Sequence, residues 1–125
     1  MTRKAISLLL CITTLLCSCQ KEDRNGDLGG FWKVMQLTPA NKAGIDCKEK
    51  SLFWRVQLQL LQIGGEYARF EHSGDSLHLQ LIGRYNSCLK DYGVYKKDES
   101  YAVLHLDRNG MTLKSDSAEI RFKKF

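Results

Sequence analysis

From Trp54 to Leu60 the apolar residues fall on every second position: Trp54, Val56, Leu58 and Leu60 alternate with Arg55, Gln57 and Gln59. That spacing cannot form a helical stripe, but it buries one face of a pleated strand. The same period recurs where Leu77, Leu79 and Leu81 flank His78 and Gln80, and where Ala118, Ile120 and Phe122 alternate with Glu119, Arg121 and Lys123. Turn residues separate the runs: Gly64-Gly65, Ser73-Gly74-Asp75, Arg108-Asn109-Gly110 and Ser115-Asp116-Ser117. Each supplies positive φ or a local side-chain hydrogen bond, so hairpins are the natural connections. Strands are expected at 30–38, 51–63, 66–73, 75–83, 92–96, 101–107, 110–115 and 117–125, with no convincing helix among them. Eight such strands make an all-β antiparallel meander. Closing it into an up-and-down barrel removes the exposed edges that a small sheet must otherwise protect. The longest link, 39–50, is expected to carry a helical turn or to lie over the barrel mouth.

With 125 residues, 26% of them charged, the chain is long enough for one packed domain. Its first residues do not fit the strand pattern. Thr2, Arg3 and Lys4 form a positive start, and Ala5 to Leu16 is an apolar run shorter than the roughly 20 residues that span a bilayer. The run ends in Leu16-Cys17-Ser18-Cys19, which resembles the lipobox of bacterial lipoproteins. The resemblance implies a signal peptide over 1–18, removed before Cys19, and diacylglycerol and palmitate-type acyl chains on Cys19. Residues 19–27 are then a lipidated tether and 28–125 the barrel domain. In a minor variant Cys17 is the acceptor, which Leu16 just before it disfavours. Two or three acyl chains hold a protein stably at a membrane without spanning it.

Gln20 follows the modified cysteine where an inner-membrane retention signal has Asp, which implies the outer membrane. Gln20-Lys21-Glu22-Asp23 also resembles the charged tag of surface-exposed lipoproteins, with a periplasm-facing position as the alternative. Loss of Arg3 and Lys4 lowers the net charge from +5 by 2, to +3, too mild a balance for a nucleic-acid partner.

Cysteine usage follows from this processing. Cys11 and Cys17 leave with the signal and Cys19 is consumed by lipid, so Cys47 and Cys88 remain in an oxidising compartment. A disulfide between them is expected. It would close a loop of about 40 residues, worth roughly 4 kcal/mol in the chain-entropy picture. Two free thiols or a metal pair are the alternatives, and no CxxC or HxxxH spacing supports a metal.

Gly30-Phe31-Trp32 opens the first strand as Gly-x-Trp, which resembles the signature of lipocalins and the wider calycin group. The ending, from Met111 to Ser117 and then Arg121-Phe122-Lys123-Lys124-Phe125, is similar to the last hairpin of small bacterial lipocalin-like lipoproteins. The resemblance implies an eight-stranded barrel closed at one end by Trp32, with Arg121 of the last strand as its stacking partner. It also implies a binding protein for a small apolar or amphipathic ligand. Inward-facing Trp54, Val56, Leu58 and Phe70 would line the pocket, with loop 39–50 as lid. The alternative is a filled barrel, packed by Trp54, Phe70, Leu79 and Phe122, that contacts a protein or glycan of the envelope. Rim loops or the tyrosines Tyr85, Tyr92, Tyr95 and Tyr101 would make that contact.

Catalytic signals are weak. His72, His78 and His105 sit on expected strands and read as exposed or hydrogen-bonded residues. Ser73, Asp75 and Ser76 near His72 read as turn chemistry. No nucleophile elbow, carboxylate pair or phosphate-binding glycine pattern is present. The chain is therefore read as a non-enzyme that needs no metal or cofactor.

Overall fold

The computed structural model describes residues 26–125. The expected signal peptide at 1–18, Cys19 and the tether up to residue 25 lie outside the described residues. The chain enters through a 3-10 turn, Gly26–Leu28, and continues into β1 (Gly30–Pro39). Then come β2 (Ile45–Asp46), β3 (Phe53–Gln57), β4 (Leu60–Ile63), β5 (Glu66–Ser73), β6 (Ser76–Leu81), a 3-10 helix (Ser87–Tyr92), β7 (Asp98–Leu106), β8 (Gly110–Lys114) and β9 (Ala118–Lys124). Every pairing is antiparallel, in the order β1-β3-β4-β5-β6-β7-β8-β9, and β9 returns to pair with β1. The result is a closed eight-stranded up-and-down barrel. The short β2 lies outside this circuit, paired with Gln36 and Leu37 of β1.

Period-two burial explains the closure. Trp32, Val34, Trp54, Val56, Leu61, Ile63, Leu77, Leu79, Met111, Leu113, Ile120 and Phe122 point inward and are buried, while their polar neighbours face out. The hairpins use the local chemistry their sequences carry. Gly64 (φ +62°) and Gly74 (φ +57°) take left-handed positions. Asp107 Oδ1 accepts from the Asn109 and Gly110 amides at 2.7 and 2.8 Å. Ser115 Oγ accepts from the Ser117 and Ala118 amides at 3.2 Å.

Two expected strands are corrected. The run 51–63 is a hairpin, with Gln57 facing Leu60 across a two-residue turn at Leu58-Gln59. Leu58 adopts φ +55°, a left-handed conformation that glycine or asparagine takes more cheaply. The strand expected at 92–96 is absent, because the 3-10 helix Ser87–Tyr92 occupies this crossover. Asn86 caps its start by accepting from Cys88 N at 3.0 Å, and Gly93 ends it at φ +87°. One strand gained and one lost leave the count at eight.

Loop 39–50 is not a lid. Through β2 it lies along β1, where Cys47 N donates to Met35 O at 2.9 Å. The upper mouth is covered instead by the crossover around the 3-10 helix, whose Leu89 and Val94 are buried. The expected Cys47–Cys88 disulfide is also overturned: both thiols are free. Cys47 is buried behind β2, and burial pushes its pKa up, whereas Cys88 is exposed on the 3-10 helix. Among the described residues no helix is long and apolar enough to cross a membrane.

Gly93 gives the sharpest test of this packing. A Cβ there would stand 2.2 Å from Ile120 Cδ1, on a backbone with positive φ. Gly93→Ala is expected to destabilise the barrel by about 2–4 kcal/mol in urea denaturation, strain and overpacking acting together.

Candidate functional site

The strand directions give the barrel two poles. At the pole where the chain enters, here the tether pole after the tether expected before it, lie Gly26–Leu28, the β3–β4 turn, the β5–β6 turn, the β7–β8 turn and the C-terminus. Trp32 closes this end. Its Nε1 donates to Leu28 O at 2.7 Å, and its ring is fully buried. Lys124 Nζ stands 4.3 Å from the ring centroid and donates to Asp27 O at 2.8 Å and to Gly29 O. The expected partner, Arg121, is not there. Register pairs Trp32 with Lys124 on the inner face, while Arg121 faces outward and donates to Gln36 Oε1 at 3.0 Å. Gly30 completes the motif: its φ is +113°, and a Cβ would crowd Lys124 Cε at 3.1 Å. The glycine of Gly-x-Trp is thus required by its left-handed backbone, and the lysine stacked on the tryptophan adds close contact there.

The four expected pocket residues do not form one wall. Trp54 and Val56 are buried in the core. Trp54 meets Phe122 edge-on at 5.0 Å and Tyr101 at 5.8 Å between ring centroids, and its Nε1 donates to Tyr92 O at 3.0 Å. Leu58 stands 60% exposed on its turn. Phe70, paired with Leu79, is half-buried and packs against the core from β5. Where a ligand would lie between Trp54 and the far wall, aromatic rings already meet.

Toward the upper pole the interior carries one acid. Glu99, paired with Leu79 on β7, is 2% exposed, and its Oε2 has no hydrogen-bond partner. Burial pushes its pKa up, and the Lys96 charge and hydrogen bonds with the Tyr95 backbone and the Ser115 side chain offset part of that. Its charge is felt by Tyr101 and Tyr85, while Tyr95 meets it through the backbone. Tyr101, raised chiefly by burial and then by Glu99, donates to Gly93 O at 2.8 Å. Tyr85 donates to Val94 O at 2.9 Å. The tyrosine cluster is therefore turned inward to brace the crossover and does not form an exposed rim. Sequence reasoning missed Glu99, although its place two residues before Tyr101 put both on the inner face.

The histidines lie apart. His72 Nε2 bonds Gly74 O at 3.0 Å, and His78 lies between Ser100 Oγ and Asp98 Oδ1, each at 2.8 Å. His105 pairs with Asp107 at 2.9 Å. Among the described residues no group of three or more His, Cys, Asp or Glu could hold a metal ion.

A barrel sealed by a tryptophan at the chain's entry and filled with alternating strand residues defines a lipocalin-type β-barrel protein. A family model of a lipocalin-like domain matches residues 14–125, and the chain belongs to that family. A lipocalin-like protein from Bacteroides uniformis superposes with a TM-score of 0.64 at 19% identity, over 80% of this chain and 100% of that one. An uncharacterized protein from Bacteroides eggerthii superposes with a TM-score of 0.58 at 14% identity, over 78% of this chain and 98% of that one. No curated protein sequence matches the chain.

Two substitutions separate the closing lysine from its arginine neighbour. Lys124→Met should cost about 1–2 kcal/mol in chemical denaturation, from the lost stacking and carbonyl contacts. Arg121→Met should stay within about 0.5 kcal/mol. Glu99 gives a pH signature. Its folded-state pKa is raised, so the folded chain holds that proton more tightly than the unfolded chain does. The stability this contributes is complete at low pH and lost as pH climbs through the raised value. Glu99→Gln should therefore be more stable than the parent at neutral pH, with the gap closing by about pH 4, where an unfolded Glu is itself half protonated.

Proposed function

We propose that the chain is a lipid-anchored, lipocalin-like lipoprotein of the bacterial cell envelope whose barrel serves as a packed interaction body and not as an open carrier. The observation that carries this reading is the barrel interior. Trp54 and Val56 stand where a pocket wall would be, and the Trp54 ring is already engaged by Tyr101, Phe122 and the Tyr92 carbonyl. An apolar ligand needs a cavity of roughly 300 Å³ or more, and such a ligand would have to displace those rings. The anchor is Cys19, after removal of 1–18, and Gln20 favours the outer membrane, with the barrel facing the cell surface or the periplasm. The partner on this reading is a protein or glycan of the envelope, and the chain performs no catalysis.

One observation favours a second reading, carriage of an amphipathic small molecule. The unpartnered Glu99 Oε2 would accept a hydrogen bond from the polar head of a ligand whose apolar body lay along β6 and β7. Native mass spectrometry of the protein drawn gently from its own membrane separates the two. A bare polypeptide with its acyl chains is the expected result, and a retained small mass lost in Glu99→Ala would replace the packed reading with the carrier one. In the same preparation, acyl labelling should disappear in Cys19→Ala, and the protein should then leave the membrane fraction.

A further inference from the structure

The exposed large apolar side chains of the described residues are Phe31, Ile45, Leu58, Leu60, Tyr67, Ile82, Leu104 and Phe125. Five of these, Phe31, Leu58, Leu60, Leu104 and Phe125, lie at the tether pole or in the strand ends that reach it. Four are contiguous around β9, β1, β3 and β4. Phe125 N donates to Phe31 O at 3.0 Å, which places the C-terminal ring beside the first strand. Phe125 is 79% exposed, and its ring meets that of Phe53 edge-on at 5.1 Å between centroids. Phe31 is paired with Arg55, whose guanidinium lies 5.2 Å above its ring. Beyond Arg55 toward the pole come Leu60, facing Gln57, and the exposed tip, Leu58.

Leu58 is costly twice over. Its left-handed backbone disfavours a branched side chain, and its side chain is left in solvent. A turn selected for stability alone would hold Gly or Asn here. Lys33 and Lys123, paired across the β1–β9 seam, add positive charge along the same flank.

We propose that this flank of the tether pole, formed by Phe31, Phe53, Leu58, Leu60 and Phe125 with Arg55, Lys33 and Lys123 at its border, docks onto the surface of the lipid bilayer. The inference rests on the lipoprotein reading above. From Cys19 to Gly26 there are seven residue steps, a reach of at most about 25 Å when fully extended. An acylated Cys19 therefore keeps this pole within a short distance of the headgroups. Rings and leucines bordered by cations are what enters the headgroup region, where an apolar body is buried and the charge stays wet. Docking converts a loose leash into a fixed orientation, with the opposite pole, the crossover and the 64–65 and 115–117 turns directed away from the membrane.

The test uses the full, lipid-modified chain in vesicles of phosphatidylethanolamine and phosphatidylglycerol, with and without brominated phospholipid. Phe125→Trp and Leu58→Trp report on the docking flank, and Ile82→Trp reports on the far pole. Trp32 and Trp54, both buried in the parent barrel, set the baseline. The added emission should fall at least twofold for Phe125→Trp and Leu58→Trp in brominated vesicles and stay unchanged for Ile82→Trp. Membrane-bound protein with no quenching at either docking position overturns the proposal, as does equal quenching at all three. Emission that shifts with protein density but not with bromine would assign the flank to a second copy of the chain, and also overturns it. A chain that fails to float with vesicles whether or not Cys19 is present removes the anchor itself. That outcome sinks the lipoprotein reading and the docking with it.

Discussion

The Trp32 indole is where the two ends of the barrel chain meet. Its nitrogen holds the Leu28 carbonyl, and its face carries the Lys124 ammonium, which in turn holds the carbonyls of Asp27 and Gly29. A cation–π contact on a buried ring of this kind is worth about 0.5–2 kcal/mol. Its position gives it weight beyond that figure. It fixes the entry turn under the barrel, holds β9 in register against β1, and crowds the space beside Gly30, whose positive φ already favours glycine. The strands between these ends have only to alternate and turn correctly for the sheet to close.

Closure at a small diameter then decides what the interior can hold. Two tryptophans, a phenylalanine, a tyrosine and a set of leucines lie buried within the circle, and protein interiors are close-packed. Glu99, the one buried acid among the described residues, is an exception to this economy. An unpartnered carboxylate oxygen destabilises a fold and is seldom kept without cause. Its ring of tyrosines, each engaged with the crossover backbone or packed on the core, makes this the part of the barrel where polar chemistry and tight packing coexist.

Much of this was legible in the residues. Alternation gave the inward face of β3, β6 and β9, and the turn residues at 64–65, 73–75, 108–110 and 115–117 marked four hairpins. The same alternation places Arg121 outward, in step with Glu119 and Lys123, so the family-derived partner for Trp32 conflicted with the local pattern, and the local pattern prevailed. The β3–β4 turn was hidden because Leu58 and Gln59 carry none of the usual turn chemistry. The doubled Leu60-Leu61 was the available sign, since it breaks the phase of the run. The crossover was misread because its tyrosines suit strands, while Asn86 and Gly93, a cap and a stop, argued for a helical turn. The disulfide failed on geometry that no count of cysteines contains: one thiol faces the core and the other faces water. The anchor and the partner depend on the cell as much as on the chain.

The seam between β1 and β9 joins the first strand to be synthesised with the last. Its register runs from Trp32 opposite Lys124 to Pro39 opposite Ala118. Without β9 the circuit cannot be completed, so hairpins can form early but the closed barrel waits for Ala118–Lys124. A polypeptide leaving a ribosome thus keeps its barrel open until β9 emerges, and the export across a membrane proposed above would fall within that open interval.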